Sequence, residues 1–254
     1  MGFSFLKLLD PVFFNFFPSS CLLCHQLTPQ KMLCQICYQK AWLPITQTQC
    51  ACCGNVLPED SISVIQQSSI YCGKCLTSPQ EKIFYSITSL LWFSEVNRKT
   101  IYHIKYGGKN HWLSFYKNLF DKVTKTPPFF FSSSKVIIPI PLHYLRYGKR
   151  GFNVSDTLSQ WLLKKWGGLI DSQSLKRIRN TPFQSRLKNS HRRKNVHNAF
   201  LWQSRERAPE EVILVDDVFT SGETMREASS TLIKNGTKII HVWSLFRTPT
   251  LSLF

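Results

Sequence analysis

Eight of the chain's nine cysteines stand in four Cys-x-x-Cys pairs, Cys21/Cys24, Cys34/Cys37, Cys50/Cys53 and Cys72/Cys75, all inside the first 80 of 254 residues. A two-residue spacer lets both sulfurs of one tight turn face a single tetrahedral ion, and two such pairs complete a four-thiolate zinc site. Eighteen residues separate the third pair from the fourth, the length of a zinc-ribbon hairpin, against nine between the first and second. Sequential pairing gives two zinc ions; an interleaved arrangement threads the chain less simply. Gly54 follows the third pair, where a knuckle calls for positive φ. Cys52 either substitutes as a ligand or remains a thiol outside the site, and His25 reads as a bystander to four thiolates. Such closed sites are structural, because the metal supplies folding energy that some 60 residues cannot draw from a core.

A redox dithiol would show one such pair at a strand–helix junction rather than four in a row. A disulfide scaffold would need an oxidising compartment, whereas this chain reads as cytoplasmic. The most apolar stretch, Phe3 to Phe17, is interrupted by Lys7, Asp10, Pro11 and Asn15, short of a membrane span. It lacks the basic start and small-residue cleavage site of a secretory signal. The expected form is a short aromatic-rich helix over residues 1–20 docked on the protein, with a membrane-surface role as the weaker option. With 43% apolar and 19% charged residues, the rest is globular rather than disordered.

From residue 81 onward strand-like and helix-like stretches alternate. Residues 83–93 are β-branched and aromatic, 97–122 carry helical spacing, 126–134 form a loop, and Val136–Pro139 is a short apolar run before a basic loop. An amphipathic stretch covers 153–166, an Arg/Lys/Asn-rich segment 177–198, and the pattern closes with a strand at 212–215, a helix at 222–234 and a strand at 239–246. Alternation of this kind predicts an α/β domain with a mainly parallel sheet and flanking helices. The expected domains are thus an N-terminal apolar helix (1–20), a double zinc ribbon (21–80) and an α/β domain (81–254).

The run from Val212 to Thr224 carries the chemistry. Four apolar residues predict a buried strand with Asp216 and Asp217 at its carboxyl end, the edge where open α/β sheets bind ligands. The turn Thr220-Ser221-Gly222-Glu223-Thr224 then opens a helix. Its backbone N–H groups, its hydroxyls and the helix dipole form a cradle for a phosphate dianion, which Gly222 lets approach closely. Two carboxylates beside the cradle suit a ribose diol or a magnesium shell. A Rossmann glycine motif and a Walker A motif are both missing. The run resembles the phosphoribosyl-pyrophosphate (PRPP) loop of type I phosphoribosyltransferases.

Further stretches extend the likeness: His103-Ile104-Lys105-Tyr106-Gly107-Gly108-Lys109, Pro139-Ile140-Pro141-Leu142, Arg150-Gly151-Phe152-Asn153, and Gln184, Arg192, Asn195-Val196 and Ala199-Phe200. With the four cysteine pairs ahead of them, they resemble the ComF family over nearly the whole chain. The resemblance implies a double zinc ribbon fused to a type I phosphoribosyltransferase-like domain, in bacterial proteins of natural competence and DNA handling. It implies that Pro141 and Leu142 lead into a pyrophosphate loop, that Arg146, Lys149 and Arg150 supply its cations, and that 177–200 is a flap contacting ligand through Arg177, Gln184, Arg192 and Asn195. Val154 stands where the family usually has Gln, which removes a polar contact from that position.

If the domain turns over, an acceptor displaces pyrophosphate from C1 of PRPP, with Asp216 and Asp217 on the ribose hydroxyls, the 220–224 loop on the 5′-phosphate, and magnesium with the basic loops neutralising the leaving group. No residue cluster specifies the acceptor, so a true phosphoribosyltransferase of small-molecule metabolism and a silent PRPP-binding regulator both stay open. The formal charge of +17 points to a second partner. Residues 135–207 hold 16 Lys and Arg against three acidic residues, interleaved with Tyr144, Tyr147, Phe152, Phe183, Phe200 and Trp202. Cations that meet phosphates and rings that stack on bases suit single-stranded DNA, with DNA-uptake proteins as further candidate partners. Residues 1–80 carry only four basic and three acidic side chains, so cysteines and excess charge occupy different parts of the chain.

Overall fold

Each cysteine cluster is assembled from a turn and a helix start. The computed structural model describes residues 19–29, 32–57, 65–66, 69–77, 83–107, 111–128, 131, 135–181 and 196–249; the expected N-terminal helix lies outside them except for Ser19–Ser20. These two residues form β1, antiparallel to β2 (Leu27–Thr28) across the first knuckle. Helix α1 (Gln35–Ala41) starts at Cys34, whose sulfur accepts the Cys37 N–H. The second knuckle is followed by β3 (Ile65–Gln66), its antiparallel partner β4 (Ser69–Ile70), and the single turn α2 (Gly73–Leu76), which starts at Cys72.

Downstream come β5 (Ser86–Trp92), α3 (Glu95–Gly107), α4 (His111–Val123), β6 (Val136–Pro139), α5 (Tyr144–Arg150), α6 (Val154–Trp166), β7 (Leu169–Ile170), β8 (Leu175–Arg177), β9 (Phe200–Trp202), β10 (Glu211–Phe219), α7 (Glu223–Lys234) and β11 (Ile239–Arg247). Five strands form one parallel sheet in the order β5-β11-β10-β6-β7. This is the expected α/β class. The helical spacing read over 97–122 resolves into two helices, and the strand read at 212–215 extends from Glu211 to Phe219.

The chain divides into two compact units, one of residues 1–43 and 93–113, the other of 44–92 and 114–254. In the first, Ser94 Oγ donates to Lys40 O at 2.8 Å and Asn97 Nδ2 to Ala41 O at 3.2 Å, tying the start of α3 to the end of α1. In the second, the segment leading to the second knuckle runs along the edge strand β5. Ile45 N donates to Leu90 O at 2.9 Å, while the Gln49 amide exchanges two bonds with the Ser89 backbone. That covers a strand edge that would otherwise expose a row of unpaired backbone groups.

One core cluster of this unit joins Phe84, Ile138, Val212, Leu214, Phe219, Met225, Leu232 and Val242. An aromatic group of Phe120, Trp161, Trp166 and Trp243 completes the packing, with Phe120 centroid separations of 5.8–5.9 Å. Buried strands of this kind read as unbroken apolar runs, as 212–215 does.

Candidate functional site

The four sulfurs of Cys21, Cys24, Cys34 and Cys37 lie within 4.8 Å of one another, and so do those of Cys50, Cys53, Cys72 and Cys75. The pairing is therefore sequential. Cys24 and Cys34 sulfurs are 3.6 Å apart and those of Cys53 and Cys72 3.8 Å, matching the edge of about 3.8 Å expected for a tetrahedron with zinc–sulfur bonds of about 2.3 Å. The donor set fits two structural zinc ions. Burial opposes ionisation of Cys21, yet N–H groups of Cys24, Cys34 and Leu23 bring it down to about 6, and the Cys53 side chain brings Cys50 down to about 4. Cys37 and Cys75 are pushed up chiefly by burial, and Cys53 by its hydrogen bond with Cys50. Cys52, 1% exposed, packs with Ala51, Leu57 and Tyr71 outside the four-sulfur group. His25 is not among the ligating sulfurs' companions; it adopts φ 61° as the last residue of the turn.

The second candidate site lies at the carboxyl end of the sheet. Pairing of β10 with β6 stops at Val215 opposite Pro139, and Ile140 N closes it by donating to Val215 O at 2.8 Å. Pairing with β11 continues to Phe219 opposite Arg247. Asp216 and Asp217 thus belong to the strand on one side and overhang its neighbour on the other. From β6 the chain winds towards β7, and from β10 towards β11, so the gap between β6 and β10 is the topological switch point of the sheet.

Two helices start at this edge. Asn153 caps α6, its Oδ1 accepting Ser155 N–H at 3.3 Å and its Nδ2 donating to Ile140 O at 3.0 Å. Gly151, at φ 75°, ends α5 two residues earlier. The Arg-Gly-Phe-Asn run therefore serves as a helix stop, a helix start and an anchor for the loop after β6, while Val154 is buried. Ser155 Oγ donates to Asp216 Oδ1 at 3.0 Å, and that oxygen also accepts Asp217 N–H at 2.8 Å. Asp217 is buried.

Helix α7 begins at Gly222, at φ 79°, and its N-terminus has no side-chain cap among the described residues. A Cβ at Gly222 would come within 2.7 Å of Phe219 and 2.9 Å of Arg226. Ser221 Oγ is buried without a hydrogen-bond partner among the described residues. Two carbonyls of the turn are held from behind, Thr220 O by Arg247 at 2.9 Å and Ser221 O by Arg226 at 2.7 Å. Across a trans peptide the following N–H groups, of Ser221 and Gly222, point the opposite way. A helix start without a side-chain cap and a hydroxyl without a partner among the described residues, beside the Ser221 and Gly222 N–H groups, are donors of the kind an anion takes. Thr220, Glu223 and Thr224 complete the loop, half-buried.

The basic loop expected after β6 is instead the helix α5, capped by the His143 side chain, with Leu145 N–H on its Nδ1 at 3.4 Å. His is a rare cap and the run is short, so local pattern hides it. Pro141 and Leu142 precede it, half-buried; Lys149 is exposed and Arg150 half-buried. Arg146 bonds Asn180 Oδ1 at 3.2 Å and also Thr181 O. Arg177 donates to Thr181 Oγ1 at 2.7 Å and lies over the Phe200 ring. Burial, then the charge of Arg146, lowers Arg177 to about 10, with Asp216 opposing. Arg146, Arg177 and Asp216 thus share one electrostatic neighbourhood. Strands β8 and β9 pair Arg177 with Phe200, the two ends of the segment read as a flap, whose residues 182–195 lie outside the described ones. Gln184, Arg192 and Asn195 lie outside the described residues.

Sequence reading did not single out Ser155 or Arg247. Ser155 follows a capping Asn, a signal that marks a helix start but not its target. Arg247 closes an apolar strand, where one buried cation is the only hint.

Comparison with known proteins agrees with both halves. The double zinc ribbon domain family matches residues 13–76. Competence protein F of Haemophilus influenzae is 41% identical over 116 residues, 44% of this chain and 50% of that protein. The DNA utilization protein YhgH of Escherichia coli O6:H1 is 28% identical over 222 residues, 85% of this chain and 90% of that protein. Competence protein ComFC of Bacillus subtilis is 24% identical over 216 residues, 83% of this chain and 81% of that protein. In the alignments of higher identity the chain spans about half the length of the curated relatives it matches. Among the described residues no helix is long and apolar enough to cross a membrane.

Proposed function

The chain belongs to the ComF family, and on that premise we propose that its α/β domain binds PRPP with magnesium and serves natural competence by handling incoming single-stranded DNA in the cytoplasm. The observation that carries the first part is the start of α7, which has no side-chain cap among the described residues, with the buried Ser221 Oγ beside it, which has no partner among them. In this reading the 220–224 loop takes the 5′-phosphate and Asp216 and Asp217 face the ribose diol. Arg146, Lys149, Arg150 and Arg177 meet the pyrophosphate, together with Gln184, Arg192 and Asn195 of the flap. Carboxylate oxygens at this edge are hard donors of the kind magnesium takes, and the ion would supply charge neutralisation to the pyrophosphate.

Calorimetry of PRPP with magnesium tests the reading: heat for the native chain, and its loss in Asp217→Ala and Thr224→Ala. No heat, or equal heat in the variants, overturns it. Pyrophosphate release across a panel of acceptors then separates a pentosyl transferase from a silent PRPP-binding regulator.

The DNA reading rests on α5. Tyr144 is 73% exposed and Tyr147 49%, and the same helix carries Arg146, Lys149 and Arg150. Rings on which bases stack, beside cations that neutralise phosphates, suit single strands. Affinity for an oligothymidine should fall with salt, with a log–log slope of about −0.7 per phosphate contacted, and Tyr147→Ala should weaken it by about tenfold. Salt-independent binding would exclude this interface.

A further inference from the structure

Arg247 ends β11 and is 3% exposed. One nitrogen of its guanidinium donates to Thr220 O at 2.9 Å. The other donates to Cys53 O at 2.8 Å and Asn55 Oδ1 at 3.0 Å. Its guanidinium carbon lies 4.8 Å from the Phe219 ring centre. Among the described residues no carboxylate forms an ion pair with it. A buried cation without a counter-ion is expensive, and the compensation here comes from the two carbonyls and the amide oxygen that its guanidinium reaches. A four-thiolate zinc site would carry a formal charge of about −2, and zinc in the second site would place that charge on the residue whose carbonyl Arg247 holds.

The two ends of this grip belong to different chemistry. Cys53 is a metal ligand by its sulfur and an acceptor by its carbonyl. Thr220 opens the phosphate turn, and fixing its carbonyl aims the Ser221 N–H outward across a trans peptide. The fork of an arginine fixes both distances at once, which the single ammonium of a lysine does not. Gly54 belongs to the same arrangement: a Cβ there would stand 3.4 Å from the guanidinium carbon.

We propose that Arg247 is a positioning residue that couples the second zinc site to the phosphate turn, so that metal in the Cys50/Cys53/Cys72/Cys75 site sets the geometry of the 220–224 cradle and ligand in the cradle slows loss of that metal. The proposal rests on the reading of 220–224 as a phosphate site. Such coupling is reciprocal and of the order of 5- to 150-fold in affinity.

The test uses the full zinc-loaded chain with two readouts, calorimetry of PRPP with magnesium and the rate of zinc transfer to a chromogenic chelator. In the native chain PRPP should slow one of the two zinc-release phases and leave the other unchanged. Arg247→Lys, which keeps the charge, should weaken PRPP about tenfold and abolish the effect of PRPP on zinc release. Asn55→Ala approaches from the ribbon side, guarding against a poorly folded Arg247 variant, and should speed the same phase without touching the turn. Native chain that binds PRPP but releases both zinc ions at an unchanged rate, or Arg247→Lys with native affinity, overturns the coupling alone. Native chain that binds no PRPP overturns the phosphate reading and the coupling with it.

Discussion

The knuckle at Cys21–Gln26 and the knuckle at Cys50–Asn55 close with the same two backbone bonds. Cys21 N donates to Gln26 O at 2.8 Å and His25 N to Cys21 O at 2.9 Å; Cys50 N donates to Asn55 O at 2.8 Å and Gly54 N to Cys50 O at 2.8 Å. In both, the residue after the second cysteine is left-handed, His25 at φ 61° and Gly54 at φ 69°. In both, the later cysteine pair opens a helix from an extended N-cap, Cys34 or Cys72. They differ in what stands against the turn. His25 is exposed, whereas a Cβ on Gly54 would meet Ile87 at 3.2 Å and Arg247 at 3.4 Å. One fold of metal turn is thus used twice, once exposed in the unit of α3 and once packed into the unit that carries the 220–224 turn.

Removing ligands gives the largest break in this comparison. Cys21→Ser/Cys24→Ser and Cys50→Ser/Cys53→Ser should each lower bound zinc from about two ions per chain to about one, since each site is closed by four thiolates. Only the second pair should also weaken PRPP binding, by the 5- to 150-fold expected of the coupling. Elemental analysis and calorimetry read the two effects, and equal weakening in both variants would show that the knuckles do not differ in function.

Acid separates the units next. His241 of β11 is buried, with Ser86 Oγ 2.7 Å from Nδ1 and Glu211 Oε1 2.9 Å from Nε2. Burial, then the charge of Lys135, lowers it from 6.5 to about 4. Above pH 6.5 it is neutral folded and unfolded alike. Between pH 6.5 and about 4 the unfolded chain takes up a proton that the folded chain refuses, so stability falls as pH drops, by on the order of 3 kcal/mol. Urea denaturation read by the fluorescence of Trp161 and Trp243 should follow this slope, and His241→Gln should flatten it. An unchanged slope in that variant would assign the acid sensitivity elsewhere.

The two regions also differed in how much the sequence disclosed. Cysteine spacing alone marked the ligands, because metal geometry is a local rule, and the geometry selected sequential over interleaved pairing. The strand at 212–215 and the turn at 220–224 were equally legible, since buried parallel strands and helix starts leave local signatures. What could not be read was tertiary: the extension of β10 to Phe219, which depends on pairing with β11; the helix α5 behind an unusual His cap; and the reach of Arg247 to Cys53, 194 residues away.

Gly54→Ala tests the packed turn at a smaller scale. A left-handed non-glycine residue costs roughly 1–2 kcal/mol, and the new methyl would press on Ile87, which is itself buried. A loss of about 2 kcal/mol is expected, with weaker PRPP binding alongside it. A neutral result would mean that Arg247 and Ile87 have room to retreat.

The smallest effect belongs to the counterpart in the first knuckle. His25→Gly relieves left-handed strain of roughly 1 kcal/mol, but the added freedom of glycine in the unfolded chain costs about 0.5–1 kcal/mol in return. Because the side chain is exposed and outside the four-sulfur group, nothing else should change, and the variant should keep both zinc ions with stability within about 0.5 kcal/mol of native. Loss of a zinc ion would make His25 a ligand rather than the hinge of a turn. Equality with the native chain, set against a clear penalty for Gly54→Ala, would place the difference between the two knuckles in what packs on them rather than in how they hold metal.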